Sequence, residues 1–412
     1  MKYSLINCYS DYNKGDLGII LTTVRFLQEI DKDADITGIS TYNYSDPFYH
    51  TQHKLLSKSI PVSPSIFGEL NIGKRKDPFS KVLRFLWDWI RFKMMILFKS
   101  TFLLSSHEKK SFTKLKDSDY IISKGGSFLC DEKNLRIKMS LRRFMMIFNL
   151  INYLIPNSRI VILCQSIGPI YDKGSRNALN KIFEKCHKVV LREDYCLREY
   201  PYIHIPSDKL IIRNDIAFHL DSVPIDLPFK NFEKMKVGMT IKSVSATQKS
   251  QYENMMKTCI EHIIDKYDVN IFIYPHVTVD DDVEESIKVY RMLADEYKSN
   301  VTVFTDNYQS GELKYLYSHM DYFIATRLHS SIFAIGEGVP SLVIAYHGTK
   351  AQGIFHNIDL DEWVVNDYET DLSFLFDKMV KEFDKEKLVF KMKEDRKQTL
   401  ECMSSVFRKV RW

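Results

Sequence analysis

What most constrains this chain is a repeated order: a short apolar strand pattern, a polar or glycine-bearing turn, then a stretch of helical spacing. The first copy is complete by residue 30. An apolar run over 3–8 leads into Ser10-Asp11-Tyr12-Asn13-Lys14-Gly15-Asp16-Leu17-Gly18, and Ile20, Val24, Leu27 and Ile30 then recur at helical intervals. Further strand patterns fall at 36–40, 120–123, 159–164, 188–192 and 210–213, with helical patterns between most of them. A second series follows at 236–241, 269–274, 301–304, 322–325 and 341–345. Strands alternating with helices predict parallel sheets covered by helices, an α/β architecture.

Two series need two cores, and 412 residues suffice for both without disulfide or metal staples. The linker candidate is Ser222-Val223-Pro224-Ile225-Asp226-Leu227-Pro228, which places the domains at 1–224 and 225–412, the second ending in a charged helical tail over 370–412. Two such domains predict a cleft between them. The net charge of +5 is too weak to indicate nucleic acid. Seven cysteines, an odd number with no CxxC spacing, read as free thiols in a reducing cytoplasm. The start of the chain turns polar too quickly for a signal peptide, and no apolar run is long enough for a transmembrane helix.

The segment 74–116 is different in kind. It holds Phe85-Leu86-Trp87-Asp88-Trp89-Ile90-Arg91-Phe92-Lys93-Met94-Met95-Ile96-Leu97-Phe98-Lys99, and its basic residues far outnumber its acidic ones. A second basic helix, rich in Met and Phe, is expected over 134–154. Such helices suit a membrane surface with anionic lipid. They equally suit a sheet-covering position, with Lys and Arg stems running out to solvent. Both readings stay open on sequence grounds.

Ligands of open α/β sheets bind beyond the carboxyl ends of the strands. Applied here, that rule selects Asn13, Gly15 and Asp16; Lys124-Gly125-Gly126-Ser127; Gln165-Ser166-Ile167-Gly168-Pro169; Arg192 and Glu193; and Asn214 and Asp215. In the second half it selects Lys242, His276, Ala325-Thr326-Arg327-Leu328-His329-Ser330-Ser331, and Tyr346-His347-Gly348-Thr349-Lys350. The glycine pair leaves backbone N–H groups able to face an anion, or simply makes a tight turn to a helix. The Arg327 segment carries more chemistry: an arginine and a histidine at a predicted helix start, where backbone donors and the macrodipole favour phosphate. The plainer reading pairs Arg327 with a carboxylate across the domain gap. Asp280-Asp281-Asp282 reads as a cap for the helix after it. No metal-ligand spacing, Walker loop, GxGxxG or nucleophile elbow occurs, so no metal or tightly held cofactor is expected.

Taken together in order and spacing, these pieces resemble the polysaccharide pyruvyl transferase family, from the Asn13-Lys14-Gly15-Asp16 loop to about residue 360. The most specific stretch is Ala325-Thr326-Arg327-Leu328-His329-Ser330, then Gly338-Val339-Pro340, Tyr346, Lys350 and Gly353, with Asp215-Ile216-Ala217-Phe218 in support. The resemblance implies two Rossmann-like domains facing across a cleft, as in GT-B enzymes, the first on the acceptor side and the second on the donor side. It implies transfer of a pyruvyl group from phosphoenolpyruvate, a co-substrate, to two hydroxyls of a glycan or lipid-linked oligosaccharide, forming a cyclic ketal. Capsule, exopolysaccharide or cell-wall polysaccharide is the expected product, made in the cytoplasm or at the inner face of the plasma membrane. Donor contacts are implied for Arg192, Arg327, Leu328, His329, Ser330, Lys242 and Lys350, with His329, Arg327 and Asp16 as catalytic candidates. Asn13, Gly15, Asp16, Gly125, Gly126, Ser127, Gln165, Asp215 and His276 are the acceptor-side and loop candidates. Lys242 stands where many relatives would have arginine, keeping the charge but losing the bidentate fork. Two other readings share the pattern. A nucleotide-sugar glycosyltransferase would need a ribose-binding carboxylate, for which Glu337 is the candidate. A non-catalytic scaffold of a glycan-assembly complex would need none of these side chains.

Overall fold

The computed structural model describes residues 1–68, 78–131, 135–229, 233–278, 280–345 and 350–408, the side chains of 78–80 and 135–137 excepted. Within them the chain forms two compact units. The first comprises Met1–Asp11, Ile19–Arg213 and Leu400–Trp412; the second comprises Tyr12–Gly18 and Asn214–Thr399. The division falls at 213/214, before the proline-bearing linker. The second unit also takes in the glycine turn near the start of the chain, and the last residues count with the first unit.

The first unit is built on one parallel sheet. Its strands are β1 (Lys2–Cys8), β2 (Asp35–Ser40), β3 (Val62–Ser63), β4 (Tyr120–Ser123), β5 (Gly126–Leu129), β6 (Ile160–Ile167), β7 (Lys188–Leu191) and β8 (Leu210–Ile212). They run in the order β3-β2-β1-β4-β6-β7-β8, with β5 also pairing β6. The reason for parallel pairing is visible in β6, whose eight residues are all buried. A strand covered on both faces can be apolar throughout, and crossover helices supply that cover. The helix Leu135–Leu154 is part of the cover: Phe144, Met146, Phe148, Leu150 and Ile151 are core residues. For this second basic helix, the sheet-covering reading is therefore the one observed.

The second unit repeats the plan with β9 (Met235–Thr240), β10 (Val269–Ile273), β11 (Val301–Val303), β12 (Tyr322–Ala325), β13 (Ser341–Ile344) and β14 (Val364–Val365). Their order is β11-β10-β9-β12-β13-β14, again all parallel. Strand order reverses between β9 and β12, and at such a switch point the loops diverge to opposite faces and leave a crevice at the carboxyl ends. The two-residue strands β3 and β14 carry too few residues to show a pattern, and β5 opens on the glycine pair, which reads as a turn; none of the three is expected from sequence.

Candidate active site

The ends of β9 and β12 flank the switch point of the second unit's sheet, and one hydrogen-bond network ties the two ends together. Thr240 Oγ1 accepts from the backbone N–H of Thr326 at 3.1 Å and meets Ser330 Oγ at 2.8 Å. Ser330 Oγ donates its single hydrogen to the carbonyl of Arg327 at 2.6 Å, so the hydroxyl of Thr240 must donate to Ser330. Tyr252 Oη joins Thr326 Oγ1 at 2.8 Å and accepts from the N–H of Lys242 at 3.4 Å. Ser330, expected beside a donor, thus acts as a lock that fixes the turn; it is fully buried. This lock gives the helix Leu328–Gly336 a defined start, with Arg327 at its N-cap in extended conformation.

Arg327 is held from its own unit. Its Nε lies 3.1 and 3.2 Å from the two oxygens of Asp282, Nη2 also bonds Asp282, and Nη2 lies 2.7 Å from Asp280. Asp282 is completely buried and accepts two further bonds, from the N–H groups of His276 (3.2 Å) and Val277 (2.9 Å). Burial pushes its carboxyl up, and the guanidinium opposes that shift. The expectation that this aspartate run caps the following helix is corrected here: Asp281 stands at the N-cap without a side-chain bond, while Asp282 grips the arginine. Asp280 and Asp282 take up Nε and Nη2, so the guanidinium is fixed in one place and that bidentate edge is engaged by carboxylates of its own unit.

His329, two residues on, sits on a glycine. A Cβ on Gly15 would lie 2.7 Å from His329 Cβ and closer still to Nδ1 and Cγ of the ring. Only glycine permits this approach. The Gly15 turn is itself anchored in the second unit: Asn13 forms an antiparallel bridge with Val277, and Ser310 Oγ donates to the carbonyl of Lys14. Asn13 Nδ2 donates to Asp16 at 2.7 Å, and the Asp16 N–H donates back to Asn13 Oδ1 at 3.2 Å. Asp16 is therefore engaged in capping the helix Lys14–Ile30. On the other side of His329, Asp215 Oδ2 lies 3.9 Å from Nε2. Asp215 is buried and its other oxygen accepts from the N–H of Ala217 at 2.9 Å, which caps the short helix Ile216–His219 and fixes the carboxylate. The His329 side chain retains 20% exposure, while Nε2, the atom that faces Asp215, is buried.

His276 completes the cluster. It is fully buried, its Nδ1 is 3.3 Å from Tyr317 Oη, and its Nε2 has no hydrogen-bond partner among the described residues. Burial, and then the nearby His329, Arg327 and Lys14, hold its pKa well below the ordinary 6.5, so the ring is neutral. The structure thus brings together Asn13, Gly15, Asp16, Asp215, His276, Arg327, Leu328, His329 and Ser330, with Lys242 half-buried just past the end of β9. Lys350 opens the helix Lys350–His356, while Tyr346, His347, Gly348 and Thr349 lie outside the described residues. Sequence reading missed Lys14, Thr240, Tyr252 and Asp282. Lys14 and Asp282 each had a signal, the first in the turn after β1 and the second in the aspartate run after β10.

The remaining candidates belong to the first unit. Gly125 and Gly126 do not make a turn to a helix: Gly126 opens β5 and pairs with Gln165 of β6. A Cβ on Gly125 would meet the carbonyl oxygens of Cys164 and Leu163 at 2.6 and 2.8 Å, and Gly126 has φ +132°. Close strand packing therefore requires this glycine pair, and Ser127 follows within β5. β6 runs on to Ile167, so Gln165 and Ser166 are strand residues rather than loop residues. Arg192 is buried, with Nε donating to Ser166 Oγ at 2.8 Å. Glu193 accepts from the N–H of Cys196 rather than from Arg192 in the described contacts. Glu337, the ribose candidate, stands at the far end of its helix and accepts from Ser222 Oγ at 2.7 Å.

Solved structures share this architecture. The chain aligns over 98% of its length with all of the UDP-GlcNAc 2-epimerase of Neisseria meningitidis bound to UDP-GlcNAc, at TM-score 0.59 and 11% identity. It aligns over 98% with all of Anabaena HepE in complex with UDP and glucose, at TM-score 0.54 and 10% identity. These likenesses identify the fold as GT-B. By sequence, the chain is 24% identical over 385 residues to the amylovoran biosynthesis protein AmsJ of Erwinia amylovora, covering 88% of this chain and 87% of that protein. The sequence model of the polysaccharide pyruvyl transferases matches residues 13–348, a span holding both the glycine turn and the Arg327–His329 pair. The chain belongs to the polysaccharide pyruvyl transferase family, a family of polysaccharide-modifying transferases.

Proposed function

We propose that this protein transfers a pyruvyl group from phosphoenolpyruvate to two hydroxyls of a glycan in exopolysaccharide or related surface-polysaccharide synthesis. The observation that carries the reading is the oriented pair Asp215–His329 beside a clamped Arg327 at a helix start. Arg327 and the helix start suit the donor's anionic groups, since a helix N-terminus favours negative charge. To His329, packed on Gly15 with Asp215 3.9 Å from Nε2, we assign delivery of the proton. Protonation of the donor's methylene carbon creates a cationic centre at the adjacent carbon. One sugar hydroxyl adds there and loses its proton. The second hydroxyl then displaces phosphate by C–O cleavage, closing the ketal. One proton ends on the new methyl group and the other leaves with phosphate, so the step consumes no oxidant or reductant. His276, buried and neutral, is assigned to shaping the site rather than to charge.

The test is calorimetry of the wild type and of Arg327→Lys, which keeps the charge beside Asp282 but loses the fork. Ligands are phosphoenolpyruvate and a panel of nucleotide sugars. Phosphoenolpyruvate should bind the wild type and bind the variant more weakly. Binding of a nucleotide sugar with none for phosphoenolpyruvate would refute the donor assignment and favour a glycosyltransferase.

A further inference from the structure

The helix Pro78–Phe98 of the first unit has two apolar faces, and among the described residues only one is covered. Phe85, Phe92 and Met95 are buried together with Asp88, at the spacing of one helical stripe. Leu83, Leu86, Trp87, Ile90, Leu97 and Phe98 are 46–72% exposed. At about 100° per residue these six fall within an arc of about 120°, opposite the buried stripe. Phe102, half exposed and packed edge-on to Phe98 at 5.9 Å, extends the patch beyond the helix end. A contiguous outward face of this kind marks an interaction surface rather than scattered surface leucines.

Charge identifies the partner. The acidic groups at this helix are neutralised on its inner side: Asp88 pairs with Arg143 at 2.8 Å, and Glu108 pairs with Arg91 at 2.9 Å. Lys93 and Lys99 are exposed at the edge and end of the apolar face, and Lys93 lies over the ring of Trp89 at 5.5 Å. Two tryptophans and flanking lysines around an aliphatic strip match the interfacial zone of a bilayer, where indole rings sit at the headgroups and lysine stems reach outward. A second copy seated on this face would bring the same lysines together, which like charges disfavour. Among the described residues no helix is long and apolar enough to cross a membrane. We propose that this helix lies in the plane of an anionic lipid surface and docks the protein there. The inference does not depend on the donor assignment, and loss of phosphoenolpyruvate binding would leave it standing.

The test is flotation of the full chain with phosphatidylcholine vesicles, with and without about one-third phosphatidylglycerol. The wild type should float with the anionic vesicles, less so at high salt, and its tryptophan emission should shift to the blue unless Trp87 and Trp89 are replaced by Phe. Leu86→Glu with Ile90→Glu changes only exposed positions and should weaken partition roughly tenfold or more, with the melting temperature unchanged. Lys93→Glu with Lys99→Glu should weaken binding to the anionic vesicles and, as a second route, guards against a folding artefact. No flotation with either vesicle, or equal flotation of both variants, would overturn the proposal. So would a dimer in sedimentation that the Leu86/Ile90 variant dissolves, because a second copy would then be the occupant.

Discussion

Gly15→Ala is the sharpest probe of the site. The added methyl carbon would lie 2.7 Å from His329 Cβ, where ordinary contact begins near 3.4 Å. His329 Cβ, fixed to its backbone, must retreat by about 0.7 Å and the ring atoms by about 1 Å or more, so the helix start or the glycine turn has to shift along with the ring. The backbone has no objection to alanine, since Gly15 lies in the first turn of a helix and alanine favours helix by up to about 1 kcal/mol. The overpacking should nevertheless cost about 1–3 kcal/mol of stability, partly offset by that helix preference. The displaced imidazole should lose its charge-assisted contact with the donor, worth about 1.5–3 kcal/mol, or roughly tenfold to a hundredfold in Kd. Calorimetry with phosphoenolpyruvate reads the second effect and a thermal melt reads the first. The reasoning is refuted if Gly15→Ala binds phosphoenolpyruvate within twofold of wild type while His329→Ala does not. It fails equally if the melt of the variant is unchanged, because the close approach of Gly15 to His329 would then be absent.

Other consequences follow from the same contacts. Asp215→Asn keeps an oxygen to cap Ala217 but replaces the charge facing His329, so phosphate release in the presence of a glycan acceptor should fall by roughly a hundredfold or more with little change in melting. Asp282→Ala strips a buried carboxylate from Arg327 and from two backbone donors, and should cost about 3–5 kcal/mol in denaturant unfolding. Tyr252→Phe removes only the hydroxyl joining Thr326 to Lys242, at about 1 kcal/mol in the same assay. His53 is buried, with Nε2 2.7 Å from Ser40 Oγ, and burial pulls its pKa down from 6.5 to about 4. Below pH 6.5 the unfolded chain takes up a proton that the folded ring refuses. Its contribution is therefore full above pH 6.5 and is lost as the pH falls toward 4, by roughly 3 kcal/mol at most. His53→Gln should flatten the acid side of the stability profile relative to wild type, and an unchanged slope would count against it.

The sequence by itself determined the alternation of strand and helix, hence two parallel sheets, because the periods that encode them are local and each strand is apolar enough to be covered on both faces. It also placed Asp215, His276, Arg327 and His329, since the carboxyl ends of parallel strands are where loops can converge. Tertiary structure decided what each group touches. Asp282 looked like a cap because sequence shows only the helix after it, not the arginine that reaches it from forty-five residues away. The glycine pair at 125–126 suited an anion loop or a tight turn to a helix equally, because close strand packing and a bare turn demand the same residue. The turn Tyr12–Gly18 belongs with the second unit although it lies at the start of the first. The helix Pro78–Phe98 shows the limit most plainly. Periodicity revealed apolar residues on it, but two opposed stripes satisfy the same count, and only packing against the Asp88–Arg143 pair selects which one faces inward. Local pattern is short-range and survives in the linear chain. The choice between equivalent faces and partners is a long-range competition, and the folded core settles it.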